Sequence, residues 1–189
     1  EEGPQGGSII VTYKDDIVTL DPAIGYDWVN WSIIKSLFSR LMDYKPGTAE
    51  LTPSLAESYD ISKDGLTYTF KLRKGVKFHN GQDFTAEDVK YTFDRILDPA
   101  TASPSATLFS GIKAVTVIDP FTVKFELKAP SATFLSYLAT NPNGVIVPKG
   151  VTDLKTKPVG TGPFVFESYE PNQQFTLKAN PNYYEEKQP

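Results

Sequence analysis

The sequence predicts a mixed α/β fold in which antiparallel hairpins of strands are interrupted by helices. Apolar and polar residues alternate along 66–73 and on both sides of two short turns later in the chain, and a period of two is typical of half-buried strands. Apolar residues recur with a period near 3.6 after Asp27 and after Thr85, which is typical of helices that bury one face. Strands and helices are therefore mixed along the chain.

The first elements are predicted to be a strand, a turn and a helix. Ser8–Tyr13 is rich in β-branched residues and follows two glycines, so it predicts a strand. Pro22 fixes its own φ and biases Asp21 away from the helical region, so the chain turns there. A helix is predicted from Trp28 to Met42. Its apolar face comprises Ile33, Ile34, Leu37, Phe38 and Leu41.

The middle of the chain predicts a strand, a capped helix and a hairpin. Residues 66–73 alternate as a half-buried strand. Thr85 begins a capping-box pattern, in which the threonine hydroxyl accepts the amide of the residue three positions later. The helix behind it is predicted to stop before Pro99. Two alternating runs on either side of Asp119-Pro120 indicate a hairpin.

Three shorter elements complete the prediction. Residues 131–139 predict a short helix that carries Phe134, and residues 145–147 predict a short buried strand before a proline. A second hairpin is predicted from strands at 164–169 and 174–178.

Composition excludes several classes of protein. The chain of 189 residues has a net charge of -4 and a pI of about 5.1, which argues against a nucleic-acid or anionic-membrane binder. It has no cysteine and one histidine, His79, so disulfides, Cys/His zinc sites and cysteine nucleophiles are excluded, and we expect no metal or cofactor. No apolar run reaches the length of a membrane span. The absence of cysteine fits an exported protein without its leader and a cysteine-poor cytosolic protein equally well.

Three places could carry chemistry. His79, beside a turn, is either the base of a hydrolytic site or a turn histidine that donates to backbone, and the lack of a nearby catalytic pattern favours the second. Gly160-Thr161-Gly162 lacks the Lys-Ser/Thr of a phosphate loop and opens a strand, so it predicts no phosphate site. Both tryptophans lie in an aromatic cluster that either lines a ligand pocket or packs into the core. The cluster comprises Tyr26, Asp27, Trp28, Asn30 and Trp31.

Several ordered stretches carry a resemblance to a known family. They lie at 7–11, 20–22, 51–59, 64–89, 158–164 and 180–184. The most specific runs from Asp64 through His79 to Val89. In this order they resemble the family 5 extracellular solute-binding proteins, the peptide, nickel and oligosaccharide receptors of ABC importers. The chain departs from the family pattern at Tyr59, where tryptophan is usual.

The resemblance implies a fold and a division of the chain. Members resemble periplasmic binding proteins of type II with an extra subdomain, built as two α/β lobes that close on ligand about a hinge. We expect this chain to be the N-terminal lobe only. Residues 1–40 would begin lobe I, residues 41–150 would form the extra subdomain, and residues 151–189 would return to lobe I.

The resemblance also implies a function. We expect the substrate-binding component of an ABC importer, which captures a small-molecule or peptide ligand in the cleft and delivers it to permease subunits in the membrane. It would be periplasmic or extracellular, with or without a lipid anchor, and would bind no nucleic acid. Alternatives are a hydrolase that uses His79 and a scaffold or receptor without a small ligand. The expected ligand-binding residues are Tyr26, Asp27, Trp28, Phe109, Ser110, Asn141, Asn143 and Thr161.

Overall fold

The computed structural model describes residues 7–13, 15–25, 27–140 and 142–185, and it confirms the mixed α/β fold. Helices are interspersed among groups of strands along the chain, and every strand pairing is antiparallel in the described residues. The helices are α1 (Trp28–Leu37), α2 (Ala86–Leu97), α3 (Ala106–Phe109) and α4 (Phe134–Ala139), with a 3-10 turn at Pro99–Thr101. The strands are β1 (Met42–Tyr44), β2 (Leu51–Pro53), β3 (Ala56–Ile61), β4 (Thr67–Leu72), β5 (Ile112–Asp119), β6 (Thr122–Leu127), β7 (Phe164–Glu170) and β8 (Gln174–Ala179).

A four-stranded sheet with the order β3-β4-β6-β5 forms the centre of the larger core. The alternation predicted along β4 is confirmed, because Tyr68, Phe70 and Leu72 are buried. In the register of β4 with β6, Tyr68 lies opposite Phe125. Helix α2 covers this face, and its Phe93 ring meets the Phe125 ring edge-on, with centroids 4.9 Å apart. Such aromatic pairs add about 0.5–1.5 kcal/mol beyond the area they bury.

The apolar interior divides into two clusters. The larger surrounds the four-stranded sheet and α2. The smaller gathers around α1 and also receives Leu154 and the half-buried Phe166 of β7. The chain crosses between them near Phe38, which lies in the smaller cluster, and Leu41, which lies in the larger. The buried residues of the smaller cluster are Leu20, Val29, Ile33, Ile34, Leu37, Phe38, Val145, Val147 and Leu154.

This crossing corrects the predicted length of the first helix. α1 ends at Leu37, and Phe38 takes an extended conformation with φ -124° and ψ 154°. Leu41 and Met42 are fully buried in the larger cluster, and Met42 begins β1. A continued helix would keep both residues on the face of the smaller cluster. Tertiary burial therefore overrides the helical period.

The predicted strand at 8–13 is also wrong in this structure. These residues form no ladder with any described strand, and Ile9 and Ile10 are 91% and 93% exposed. β-branched residues favour a strand only where a partner pairs with it and covers one face. Residues 145–147 are buried as predicted but form no strand, because the amide of Val147 donates to the Thr92 hydroxyl at 3.1 Å instead.

The other local predictions agree with the structure. Both hairpins form, as β5–β6 and β7–β8, and α2 ends at Leu97, before Pro99. The short helix is α4, which begins at Phe134 rather than at 131. The capping box at Thr85 is confirmed.

Asp88 is the buried half of that capping box. Its carboxylate accepts the Thr85 amide at 2.8 Å and the Thr85 hydroxyl at 3.2 Å. It also accepts the amide of Lys149 at 2.8 Å, from the segment that follows the smaller cluster. The side chain is almost fully buried, so each of these donors would lose its partner if the carboxylate were removed.

We therefore expect Asp88→Ala to destabilise the fold by about 2 to 3 kcal/mol, since it removes a buried carboxylate that accepts three hydrogen bonds from partly buried donors. Thr85→Ala should lower the free energy of unfolding by about 1 kcal/mol, the usual loss for a capping hydroxyl. Asp94→Ala is the matched control, because Asp94 lies on the exposed side of the same helix, where it pairs with Lys90. Denaturant titration would contradict the role of Asp88 if Asp88→Ala and Asp94→Ala cost the same.

Candidate functional site

The segment that leads into α1 is organised by one buried carboxylate. We call residues 20–25 the entry loop. Asp21 is 3% exposed, and its carboxylate accepts the amide of Ala23 at 3.0 Å. Its backbone carbonyl accepts the amides of Ile24 at 3.1 Å and Gly25 at 2.8 Å. The turn predicted at Pro22 is therefore held from both the main chain and the side chain of the preceding residue.

Asp21 also forms a bidentate ion pair with Arg95 of α2. Arg95 Nη1 donates to Asp21 Oδ1 at 2.9 Å, and Nη2 donates to Oδ2. A planar guanidinium fixes the orientation of a carboxylate as well as its distance. Sequence reasoning missed this pair, because its members are 74 residues apart and nothing in the stretch at 20–22 points to Arg95.

Helix α1 begins directly behind the entry loop. Asp27 is its N-cap, and the carboxylate accepts the amides of Val29 at 3.1 Å and Asn30 at 2.9 Å. The Asn30 amide group also donates to Asp27. Asn30 is 1% exposed, and its side-chain oxygen has no hydrogen-bond partner among the described residues. A buried acceptor of this kind is rare, and it can accept a donor from a ligand or a water.

The described residues include only part of the predicted ligand group at the start of α1. Tyr26 lies outside the described residues, and so does the side chain of Trp28. Asp27 is half-buried and is engaged as the N-cap.

A second segment meets the entry loop. Pro22 of the loop and Gly144 line one small cavity of about 10 Å³ together with Arg95, which is room for a single water. Asn143, close by in sequence, is 3% exposed and accepts the Ser105 hydroxyl at 2.7 Å. The structure thus brings the entry loop and the stretch around Asn143 to one place, whereas Asn141 lies outside the described residues.

The remaining predicted residues lie elsewhere. Phe109 is 1% exposed and packs edge-on against Phe93, with ring centroids 5.0 Å apart, so it shapes the core beneath the surface. Ser110 is exposed and, together with Lys128, whose ammonium donates to the Ser110 carbonyl at 2.7 Å, borders an open depression of about 460 Å³.

Thr161 lies at the far end of α1. Gly160 and Gly162 approach the Leu37 carbonyl so closely that a Cβ on Gly160 would lie 2.1 Å from its oxygen. Thr161 between them is 1% exposed, and its hydroxyl has no partner within the described part of the chain. The ten residues of α1 separate this end from Asp27 by about 15 Å at 1.5 Å per residue. An extended dipeptide spans only about 7 Å, so it cannot contact both ends.

His79 forms hydrogen bonds to residues 160–162 through both of its ring nitrogens. Gly160 N–H donates to Nδ1 at 3.3 Å, so the ring proton lies on Nε2, which donates to the Gly162 carbonyl at 3.1 Å. The His79 amide also donates to the Gly160 carbonyl at 2.9 Å. Burial lowers the pKa of His79 below its usual value. The histidine that donates to backbone is the alternative the structure favours, because neither nitrogen faces a nucleophile as a base must.

The described ranges contain neither a cluster of metal ligands nor a membrane-spanning helix. No three His, Asp or Glu side chains gather there as a metal site. No helix in the same ranges is long and apolar enough to cross a membrane.

Comparisons with known proteins point to one family. The model of the bacterial extracellular solute-binding proteins, family 5 Middle, matches residues 50–189. The chain is 40% identical over 177 residues to di/tripeptide-binding protein 2 of Pseudomonas aeruginosa, covering 80% of this chain and 33% of that protein. It is 35% identical over 181 residues to the glutathione-binding protein GsiB of Escherichia coli O1:K1, covering 94% of this chain and 35% of that protein.

A solved structure agrees with these relatives. The periplasmic binding protein DppA from Helicobacter pylori, in complex with the peptide STSA, matches with a TM-score of 0.82 and 34% identity, over 90% of this chain and 38% of that one. The chain therefore spans about a third of the length of the curated relatives it matches.

We expect His79 to make stability depend on pH between 7 and 5. Its folded-state pKa is lowered from 6.5, so the unfolded chain takes up the proton first as the pH falls. The free energy of unfolding is then fully retained above about pH 6.5 and decreases below it, by less than about 1.4 kcal/mol per pH unit. Denaturant titrations at pH 7, 6 and 5 would measure this slope.

His79→Gln is the control, because it removes the only histidine of the chain. Hydrogen bonds lower the pKa of Asp16, Asp64 and Asp119. Protonation of these carboxylates therefore changes the free energy of unfolding only below about pH 4, outside the range from pH 7 to 5. Equal slopes for the wild type and His79→Gln would show that His79 is not responsible.

Proposed function

The chain belongs to the bacterial extracellular solute-binding proteins of family 5, and from that premise we propose that it forms one wall of a receptor that captures a peptide-like solute for an ABC importer. The names of the relatives support a peptide-like ligand, since one binds di- and tripeptides and another binds glutathione. The second wall would come from a lobe outside this chain, which spans about a third of those relatives.

The observation that carries the proposal is the start of α1. Asn30 places a buried, unpartnered acceptor beside the N-cap Asp27, and the two tryptophans of the chain belong to the same helix. Peptides bring N–H donors and apolar side chains, which suit an unpartnered acceptor on a helix that carries tryptophans. Binding is then non-covalent, and closure of the two lobes removes water from the ligand.

We divide the expected ligand residues into two sets. The first set is Tyr26, Asp27, Trp28, Asn141 and Asn143. Within it the contacts that support the proposal are those of Asp27, the N-cap of α1, and of Asn143, which accepts the Ser105 hydroxyl. The second set comprises Phe109, Ser110 and Thr161, of which Phe109 is a core residue and Thr161 lies about 15 Å away, reachable only by a longer ligand.

The remaining features of the proposal follow from the family. The receptor would be exported, act outside the cytoplasm with or without a lipid anchor, pass its ligand to membrane permease subunits, and catalyse no reaction. We also propose domain boundaries near residues 40 and 150. The passage of the chain between the two apolar clusters at Phe38–Leu41 and at residues 145–147 supports them.

Titration of alanyl-alanine, tri-alanine and glutathione tests the function directly. We expect the receptor with both lobes to bind at least one of them at least tenfold more tightly than this chain does, a difference of about 1.4 kcal/mol. Calorimetry on both proteins with the same ligand measures it. Equal affinities would mean that this chain alone forms the site. No binding of any of the three by the two-lobed receptor would contradict a peptide-like ligand.

Trp28→Ala tests the placement of the site. In the two-lobed receptor we expect the dissociation constant for the bound peptide to rise about tenfold, while the melting temperature changes by no more than about 2 °C. Ser32→Ala is the control, because Ser32 is exposed on the same helix. A large loss of stability with unchanged affinity would show that Trp28 is a core residue instead.

A further inference from the structure

We propose that Arg95 is a positioning residue of the ligand site, which acts through Asp21 to hold the entry loop and the start of α1 in their binding geometry. Arg95 need not touch the ligand. The inference rests on the proposed function for its effect on affinity, whereas its effect on the loop can be measured without any ligand.

Arg95 belongs to α2, a helix that the larger cluster holds in place. α2 buries Val89, Phe93 and Ile96 in the larger cluster, so the helix cannot shift without disturbing the main core. The Arg95 side chain is 19% exposed and that of Asp21 is 4% exposed. Both carboxylate oxygens are bound by the guanidinium, so the position of Asp21 follows that of α2.

Asp21 in turn sets the course of the entry loop. Four main-chain contacts depend on it: the Thr19 hydroxyl accepts its amide, its carboxylate accepts the amide of Ala23, and its carbonyl accepts two further amides of the loop. The conformation of the entry loop therefore depends on Asp21, whose carboxylate is bound by Arg95.

The loop transmits that position to α1 through Gly25. The Gly25 amide donates to the Asp21 carbonyl at 2.8 Å, and a Cβ added at Gly25 would lie 3.3 Å from that oxygen and 3.2 Å from Asn30 Nδ2, so the Gly25 backbone packs directly between Asp21 and Asn30. The same Asn30 nitrogen donates to the N-cap Asp27. A continuous series of contacts thus leads from Arg95 to the unpartnered oxygen of Asn30.

Removing the guanidinium would change the loop rather than only weaken it. It would leave the Asp21 carboxylate buried without a compensating charge, which is strongly unfavourable. The carboxylate regains hydration most readily if the loop moves outward, because Ile24 of the loop is already exposed while α2 is fixed in the core. Arg95→Lys would retain the charge but lose the bidentate geometry.

The two tryptophans give a specific readout. Trp28 and Trp31 are the only tryptophans of the chain, and both lie in the first turn of α1. Fluorine NMR of the chain labelled with 5-fluorotryptophan reports on this turn alone. We expect Arg95→Met to shift or broaden these signals in the folded protein, and Arg95→Lys to do so to a smaller extent.

Hydrogen exchange separates positioning from global stability. In Arg95→Met the amides of residues 23–30 should exchange about tenfold faster relative to those of β4, whereas a merely structural loss would accelerate both alike. Lys90→Met is the matched control, because it removes an exposed ion pair from the same helix and should change neither readout. Where Arg95→Met does not fold, Arg95→Lys and Asp21→Asn give the same comparison.

Titration of tri-alanine and glutathione into the two-lobed receptor completes the test. Arg95→Lys should weaken binding severalfold and Arg95→Met about tenfold, with Lys90→Met unchanged.

Tryptophan signals and relative exchange like those of the wild type would overturn the proposal. If the loop changes in Arg95→Met but affinity for a bound peptide does not, Arg95 positions the loop but not the site, and the proposal is also overturned. Failure of the wild type to bind any of alanyl-alanine, tri-alanine and glutathione would contradict the proposed function, while the fluorine and exchange results would still decide whether Arg95 positions the loop.

Discussion

The close approach of residues 160–162 to the carbonyl end of α1 is the constraint on which the arrangement of this chain depends. Gly162 N–H donates to the Leu37 carbonyl at 2.9 Å, and neither Gly160 nor Gly162 leaves room for a Cβ there. The Gly162 carbonyl then accepts both His79 and the Asn180 amide group. One short segment therefore joins α1, the turn before α2 and the end of the β7–β8 hairpin, and only glycine permits this density of backbone contacts.

Helix α1 is consequently held at both ends by side chains from elements of the larger cluster. His79 acts at its carboxyl end through Gly160 and Gly162, and Arg95 acts at its amino end through Asp21. Such double fixation suits a helix that presents ligand groups, because binding geometry is most accurate where the supporting elements are rigid. It also explains how α1, which packs in the smaller cluster, keeps a fixed position relative to the larger core.

Local chemistry accounts for the part of the fold that could be predicted. Alternation defined β4 and both hairpins, and the capping box at Thr85 defined the start of α2, because these signals lie within a few residues. β3 was missed, since its charged and exposed residues conceal the alternation, and the strand predicted at 8–13 found no partner among the described residues. The site was less predictable: Asp21 and Arg95, or His79 and Gly160, are 74 and 81 residues apart, and only the folded chain brings them together.

Hydrogen exchange of the two-lobed receptor with and without bound tri-alanine or glutathione tests the central claim most directly. The claim is that the entry loop and the first turn of α1 form the wall that faces the ligand. Addition of ligand should slow exchange in residues 20–31 and leave the surface around Ser110 and Lys128 unchanged. Ligand-dependent protection around Ser110 and Lys128, with none in residues 20–31, would contradict it.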